Sequence, residues 1–265
     1  MAAPTFHHSS RSNDGARTGR ILQTTFSVAF LLATLFTGFS PKMFSGNFGA
    51  MLSGILTPQP DGGGAVPTSQ KLLRIGIVSG HWGDDGDPGA VCSDGITKEQ
   101  EVNRTIATLV RQKLQEKLEV EGYSIDLLKE FDTRLDGYQA ALLLSIHSDV
   151  CDAINPDATG FKLAASEYSN DKNLTDRLAA CLYDGYRGAT GLPYNPNNVT
   201  QNMTEYHAFK AIDPSTPAAI IETGFLYLDR SLLVNNPDLV ADGIVAGVLC
   251  FVRSESVQPI PTPTP

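Results

Sequence analysis

The sequence has no cluster of basic residues. Its 20 lysines and arginines are outnumbered by 29 aspartates and glutamates, which gives a formal net charge of −9 and an isoelectric point near 5. A nucleic-acid-binding protein needs Lys and Arg to neutralise phosphates, so nucleic acid is a poor candidate partner. The acidic balance also argues against binding an anionic polymer by simple charge attraction, so any such substrate has to be held by a specific site.

Charged residues are also few overall, and no internal repeat is present. Charged side chains make up 18% of the 265 residues and apolar side chains 42%. This composition favours a folded chain over a disordered one. The length suffices for one sizeable globular domain with additional segments.

One stretch near the N-terminus has no charge at all. Residues 21–39 are largely apolar, and residues 1–20 before them carry three arginines against one acid. The apolar run is about as long as a helix that crosses a hydrocarbon core, and the preceding arginines favour a cytoplasmic side. We therefore expect a cytoplasmic segment at 1–20, a transmembrane helix or signal anchor at 21–39, and an extracytoplasmic remainder. A cleaved signal peptide, which would give a secreted protein, looks similar, but residues 40–42 (Ser-Pro-Lys) fit a cleavage site poorly.

The rest of the chain divides into a linker, one domain and a tail. Residues 40–70 are rich in Pro and Gly and read as a linker, and residues 254–265 form a Pro/Thr-rich tail. Between them, residues 71–253 alternate strand and helix patterns. The predicted strands are 72–78, 123–128, 141–146, 161–164 and 218–221. Helices are predicted from Thr97 (with a capping box formed by Thr97 and Gln100), from about Leu174 to Gly185 or Gly188, and over 239–252. This alternation predicts an α/β layered domain with a mostly parallel sheet, whose site lies at the strand ends.

Four residues at element ends are candidates for chemistry. His81 follows the first strand, Glu99 lies in the first turn of the first long helix, and His147 ends the third strand. Two imidazoles and one carboxylate suit zinc, and a catalytic zinc keeps one position open for water. Glu222 ends the last strand and is a candidate general base for that water.

Each candidate also has an ordinary structural explanation. A histidine at a strand end is commonly a loop residue, Glu99 favours the positive end of its helix, and Glu222 is available to pair with Arg230. The chain has no HExxH motif that would indicate a zinc site by itself. His207, which follows the Asn-rich stretch 195–202, is expected to contact substrate or support the fold rather than bind metal.

Four short motifs favour the zinc interpretation. They are IGIVSGHWGDDGDPGA at 75–90, GITKEQEVN at 95–103, SIH at 145–147 and PAAIIETGFL at 217–226. Their order and spacing resemble those of the third family of zinc-dependent N-acetylmuramoyl-L-alanine amidases. The resemblance covers nearly the whole predicted domain. No single motif is specific, whereas the combination is.

The resemblance implies a fold, a cofactor and a reaction. It implies Zn²⁺ held by His81, Glu99 and His147, with Glu222 as the catalytic carboxylate. It implies a twisted sheet of about six strands flanked by helices. The implied reaction is hydrolysis, by a zinc-activated water, of the amide bond between N-acetylmuramic acid and L-alanine in peptidoglycan. Peptidoglycan is therefore the implied partner, and room is left for an unidentified regulator.

The chain departs from the family pattern at several positions, and none of them removes a candidate ligand. Trp82 stands where Gly is usual, Ser79 where Pro is common, Ala141 where Asp is frequent and Asp149 where Asn is frequent. The segment 128–138 is also shorter than usual. These departures concern specificity more than catalysis.

Two other functions remain open from the residues alone. One is a catalytically silent cell-wall-binding module on the same fold, and the other is a different zinc peptidase or amidohydrolase. The presence of all four key residues argues against the first, and the Glu-Thr-Gly-Phe segment at 222–225 argues against the second.

The four cysteines allow three disulfide pairings. Cys92 follows the loop after the first strand and Cys151 follows the third strand, so we favour a Cys92–Cys151 bond beside the site. Cys181 and Cys250 lie on apolar faces of two helices, where they either pair or remain core thiols. Cysteine ligation of zinc is the less favoured alternative.

Overall fold

A computed structural model describes residues 73–84 and 86–261. The predicted cytoplasmic segment at 1–20, the predicted membrane segment at 21–39 and the linker at 40–70 lie outside the described residues. Within the described ranges, no helix combines the length and apolar character needed to cross a membrane.

The described chain forms a mixed α/β domain. Its strands are β1 Leu73–Ser79, β2 Tyr123–Lys129, β3 Leu142–Asp149, β4 Lys162–Ala165 and β5 Ala218–Phe225. Its helices are α1 Glu99–Leu118, α2 Lys172–Thr190, α3 Gln201–Thr204, α4 His207–Ala211, α5 Arg230–Leu233 and α6 Pro237–Val252. Short 3-10 turns occupy Glu119–Glu121, Thr133–Leu135 and Pro196–Asn198.

The strands form one sheet in the order β2-β1-β3-β5-β4. Strands β2, β1, β3 and β5 are parallel, and β4 runs antiparallel to β5. The predicted mostly parallel sheet is confirmed, but the expected count of about six strands is wrong, since the described residues form five. The sixth strand came from the family resemblance alone. The sequence itself carries five apolar runs with strand character, and each of them forms a strand.

The sheet is covered on both faces, which explains why its central strands are almost continuously apolar. Alternate residues such as Ile75, Leu144 and Ile221 pack beneath the long helices α1, α2 and α6. The intervening residues, such as Leu143 and Ile220, pack against α3, α4 and the turn before α4. The side chains of successive strand residues therefore enter two different layers.

The start of α1 differs from the prediction. The helix begins at Glu99, and its N-cap residue Lys98 makes no side-chain capping bond. The hydroxyl of Thr97 donates instead to Asp94 Oδ2 at 2.8 Å. Asp94 also accepts the Thr97 amide at 2.9 Å. The predicted capping box is thus replaced by a turn closed by the Asp94 carboxylate.

Helix α2 is longer than predicted, because the glycines expected to end it lie inside it. It continues to Thr190 and ends at Gly191, which adopts a left-handed φ of 69°. Gly185 permits close contact with α6: a Cβ added there would lie 2.5 Å from the Gly247 backbone nitrogen. A Cβ on Gly188 would meet nothing within 4 Å.

These two glycines predict opposite effects on stability. Gly185→Ala should lower the free energy of unfolding by about 1–3 kcal/mol, because α2 and α6 would have to separate. Gly188→Ala should leave it unchanged or raise it by up to about 1 kcal/mol, because alanine favours the helix. Urea unfolding followed by circular dichroism measures both. Equal losses in the two variants would contradict the proposed helix contact.

Candidate functional site

Three predicted ligands meet at the carboxyl edge of the sheet. His81 follows β1, Glu99 opens α1 and His147 lies near the end of β3. One ligand atom from each lies within 4.8 Å of the others. Glu99 Oε1 is 3.4 Å from His81 Nε2 and 3.3 Å from His147 Nδ1. The structure thus brings together the three residues that the sequence singled out.

Two glycines let the backbone come this close. A Cβ on Gly80 would lie 2.3 Å from the His147 ring, and a Cβ on Gly89 would lie 2.5 Å from Glu99 Oε2. Gly89 also has a positive φ of 65°, which most side chains avoid. The loop between β1 and α1 therefore wraps the three side chains with no room for larger residues at these two positions.

Glu99 is a buried carboxylate with several donors. Its Oε2 accepts the Ala90 amide at 3.0 Å, and its Oε1 accepts from Asn103 Nδ2 at 3.1 Å and the Ser148 amide at 3.3 Å. Burial by itself raises the pKa of Glu99, but the hydrogen bond and charge of His147 outweigh it, so the pKa is lowered overall. Glu99 is therefore held as an anion.

His147 lies among acidic groups. Burial lowers its pKa, whereas the hydrogen bond to Glu99 and the nearby charges of Glu222, Glu99 and Glu130 raise it, with a net increase. The imidazole thus lies where positive charge is favoured. Two imidazoles and a carboxylate in an acidic setting fit a divalent zinc ion.

Glu222 lies beside the three candidate ligands. It is the register partner of His147 across β3 and β5. Its Oε2 is buried and has no hydrogen-bond partner in the described part of the chain. The pKa of Glu222 is raised to about 7, chiefly by burial; the charges of Glu99 and Asp149 also raise the pKa, whereas His147 and Lys162 lower it. A carboxylate with a raised pKa and an unbonded oxygen is suited to accept a proton.

The alternative pairing of Glu222 with Arg230 is not what the structure forms. Arg230 binds Asp94 instead, with 2.7 Å between Nη2 and Oδ2. The neighbour of Glu222 on its other side is Lys162, its register partner in β4. Lys162 forms a buried ion pair with Asp149, so no cation bonds directly to the Glu222 carboxylate among the described residues.

His207 lies outside the group formed by His81, Glu99 and His147. Its Nε2 lies 3.1 Å from the Glu130 carbonyl oxygen. Its ring stacks on Phe131, with 4.3 Å between centroids. These contacts fix the loop after β2 and support the fold.

Several polar residues that the sequence did not single out surround the ligands. Glu130, Tyr206 and Asp87 each bond one of the two histidines. Glu130 follows β2 directly, so the rule that sites lie at parallel strand ends could have flagged it. Nothing in the sequence marks Tyr206.

Disulfide bonds brace the site and the helical layer. Cys92 pairs with Cys151, which confirms the favoured pairing and ties the loop before α1 to the segment after β3. Cys181 pairs with Cys250 and joins α2 to α6. No cysteine is left as a metal ligand.

An open groove of about 530 Å³ is lined by Lys162, the register partner of Glu222 in β4, and by Phe225 at the end of β5. Its lining includes the ion-paired Asp149 and Lys162, the side of Phe225, and Asn195 from the Asn-rich loop. The groove presents charged, amide and aromatic groups. It is therefore suited to a polar, extended ligand.

A known protein family matches most of the described domain. The family model for N-acetylmuramoyl-L-alanine amidase matches residues 75–250. A search of curated protein sequences gives no match.

Solved structures of such amidases share the fold. An N-acetylmuramoyl-L-alanine amidase from Clostridium difficile 630 superposes with a TM-score of 0.55 at 21% identity, over 69% of this chain and 98% of that one. The CwlD amidase of Clostridioides difficile, in complex with the GerS lipoprotein, gives 0.51 at 20% identity over 69% and 99%. The amidase Ami1 of Mycobacterium abscessus gives 0.51 at 16% identity over 68% and 98%. At these identities the likeness shows the fold.

The ligand geometry predicts which histidine matters for metal binding. His81→Ala should reduce Zn²⁺ affinity by at least about 100-fold, because one of three donors is lost. Arg253→Ala should leave the affinity unchanged, because Arg253 pairs with Glu121 at the opposite end of the sheet. Isothermal titration of metal-free protein measures both. Equal affinities in the two variants would show that His81 is not a ligand.

Proposed function

The chain belongs to the N-acetylmuramoyl-L-alanine amidase family, and from this premise we propose how its own residues carry out the reaction. It is an N-acetylmuramoyl-L-alanine amidase, a hydrolase that cleaves the amide bond between N-acetylmuramic acid and L-alanine in peptidoglycan. The observation that carries the proposed mechanism is the meeting of His81, Glu99 and His147 beside the buried carboxylate of Glu222.

We assign His81, Glu99 and His147 as the residues that hold Zn²⁺. The family is generally zinc-dependent, and two imidazoles with one carboxylate are a donor set typical of catalytic zinc. When bound, zinc polarises a carbonyl oxygen and lowers the pKa of a water molecule. Glu99 supplies the negative charge of the set, and its amide donors keep the carboxylate oriented.

Glu222 is assigned as the general base and acid. Its raised pKa, about 7, gives the carboxylate enough affinity to take a proton from the attacking water at neutral pH. The same carboxyl group then delivers that proton to the leaving nitrogen of L-alanine. Because Oε2 makes no hydrogen bond in the described part of the chain, no internal bond has to break first.

The groove lined by Lys162 and Phe225 is assigned to the glycan and stem peptide. Its lining includes Lys162, the register partner of Glu222 in β4, and Asp149, whose charge acts on Glu222. An acidic protein has to hold an anionic polymer by such local contacts, because its net charge of −9 gives no long-range attraction.

We propose that residues 71–253 act outside the cytoplasm, either anchored by the apolar segment 21–39 or secreted after its cleavage, with 254–265 as a tail. The two disulfides support an oxidising compartment. A protein regulator is proposed by analogy with CwlD, whose solved structure is a complex with a lipoprotein.

The role of Glu222 predicts a loss of activity without a loss of metal. Glu222→Gln should lower the hydrolysis rate by about 10²–10⁴-fold, because the amide cannot accept the proton. Zn²⁺ affinity and unfolding free energy should stay near wild type, since the substitution keeps the shape of the side chain. Mass spectrometry of stem peptides released from purified peptidoglycan measures the rate.

The matched control is Glu121→Gln, which changes a glutamate before β2, at the opposite end of the sheet. It should release peptides at the wild-type rate. Full activity in Glu222→Gln would remove Glu222 from the mechanism. Released peptides that lack an N-terminal L-alanine would place the cleaved bond elsewhere and favour another zinc peptidase.

A further inference from the structure

A second buried carboxylate lies beside the two histidines. Glu130 and Tyr206 are 6% and 8% exposed, respectively. The Tyr206 hydroxyl donates to Glu130 Oε1 at 3.0 Å, and its oxygen lies 3.3 Å from His147 Nε2. Glu130 and Tyr206, here called the positioning pair, therefore reach the edge of His147 that does not face Glu99.

The same carboxylate also holds the loop that carries His81. Glu130 Oε2 accepts the His81 backbone N–H at 2.5 Å, and the Glu130 amide donates to the Trp82 carbonyl at 2.9 Å. His81 has a φ of 58°, a left-handed conformation that is costly for a residue with a side chain. Glu130 thus helps fix the backbone of one histidine, and through Tyr206 it reaches the ring of the other.

The hydrogen bonds of Tyr206 indicate which ring nitrogen of His147 carries the proton. Tyrosine has one hydroxyl proton, and Tyr206 uses it in the hydrogen bond that it donates to Glu130. The hydroxyl oxygen therefore accepts from His147, which places a proton on Nε2. The other nitrogen, Nδ1, then points at Glu99 Oε1, 3.3 Å away.

His81 shows the same division of roles with its nitrogens exchanged. Its Nδ1 lies 3.1 Å from Asp87 Oδ2, and its Nε2 lies 3.4 Å from Glu99 Oε1. Each imidazole thus has one nitrogen toward Glu99 and the other toward an outer oxygen. Outer oxygens of this kind fix the tautomer and orientation of histidines that bind metal.

We propose that Glu130 and Tyr206 are positioning residues that hold His147 with Nε2 protonated and so reserve Nδ1 for the metal. The inference rests on the metal centre proposed above. It assigns His147 Nδ1 and His81 Nε2 as the ligand nitrogens. A merely structural pair would stabilise the fold but leave the affinity for zinc unchanged.

Tyr206→Phe tests this directly, because it removes the hydroxyl and keeps the ring. We expect Zn²⁺ affinity, measured by competition with a chromophoric chelator, to fall by about 10–100-fold. The matched control is Tyr138→Phe, which removes another buried hydroxyl, one that donates to Asp126 Oδ2 at 2.7 Å. The control should lose stability in the metal-free state but keep wild-type zinc affinity.

Glu130→Gln gives an independent variant in case Tyr206→Phe folds poorly. The glutamine amide cannot accept both the His81 N–H and the Tyr206 hydroxyl. If its NH₂ group donates to Tyr206, the hydroxyl turns toward His147 and the imidazole proton moves to Nδ1. Zinc affinity should therefore fall in this variant as well.

Nitrogen-15 NMR of the zinc-loaded wild-type protein identifies the ligand atom without an activity assay. The expected spectrum shows His147 with a protonated Nε2 and a metal-bound Nδ1. A metal-bound Nε2, or unchanged zinc affinity in both variants, would overturn the inference and leave the proposed function intact. A wild-type protein that binds no zinc would overturn the metal centre as well.

Discussion

The buried charge of Glu99 is the feature on which the rest of the site depends. A carboxylate in this position is costly unless its oxygens are bonded, and Glu99 meets that requirement with backbone amides, an asparagine side chain and the two histidines. Those bonds come from the loop after β1, from β3 and from α1 itself, so a single anion holds together segments that are far apart in sequence. The same anion turns one nitrogen of each imidazole inward.

The fold makes this arrangement possible through its parallel strands. The carboxyl ends of β1, β3 and β5 meet at one edge, and register pairing places His147 opposite Glu222. Close backbone approach at Gly80 and Gly89 then closes the loop over the side chains. The disulfide between Cys92 and Cys151 covalently joins the two segments that flank Glu99 and His147. Strand order, glycine placement and covalent bracing therefore act on the same few side chains.

Much of this architecture could be predicted from the sequence, and the parts that could not share a physical cause. Apolar runs and strand-end positions located His81, His147 and Glu222, since these features are local. The start of α1 was misplaced because the Thr97 hydroxyl bonds Asp94 in the preceding turn rather than the helix. The predicted helix is shorter than α2, because Gly185 packs against a helix about 60 residues later in the chain and this contact has no local sequence signal. The contact of Glu130 with Tyr206 spans 76 positions and belongs to no local motif.

The site built around Glu99 implies that the N-acetylmuramoyl-L-alanine amidase reaction depends on a single bound metal ion. The most direct measurement removes all metal with a chelator, returns Zn²⁺ in steps, and follows the release of stem peptides from purified peptidoglycan. We expect no release from the metal-free protein and full recovery at one equivalent of Zn²⁺ per chain, with L-alanine at the N-terminus of each peptide. Release that persists after complete metal removal would contradict it.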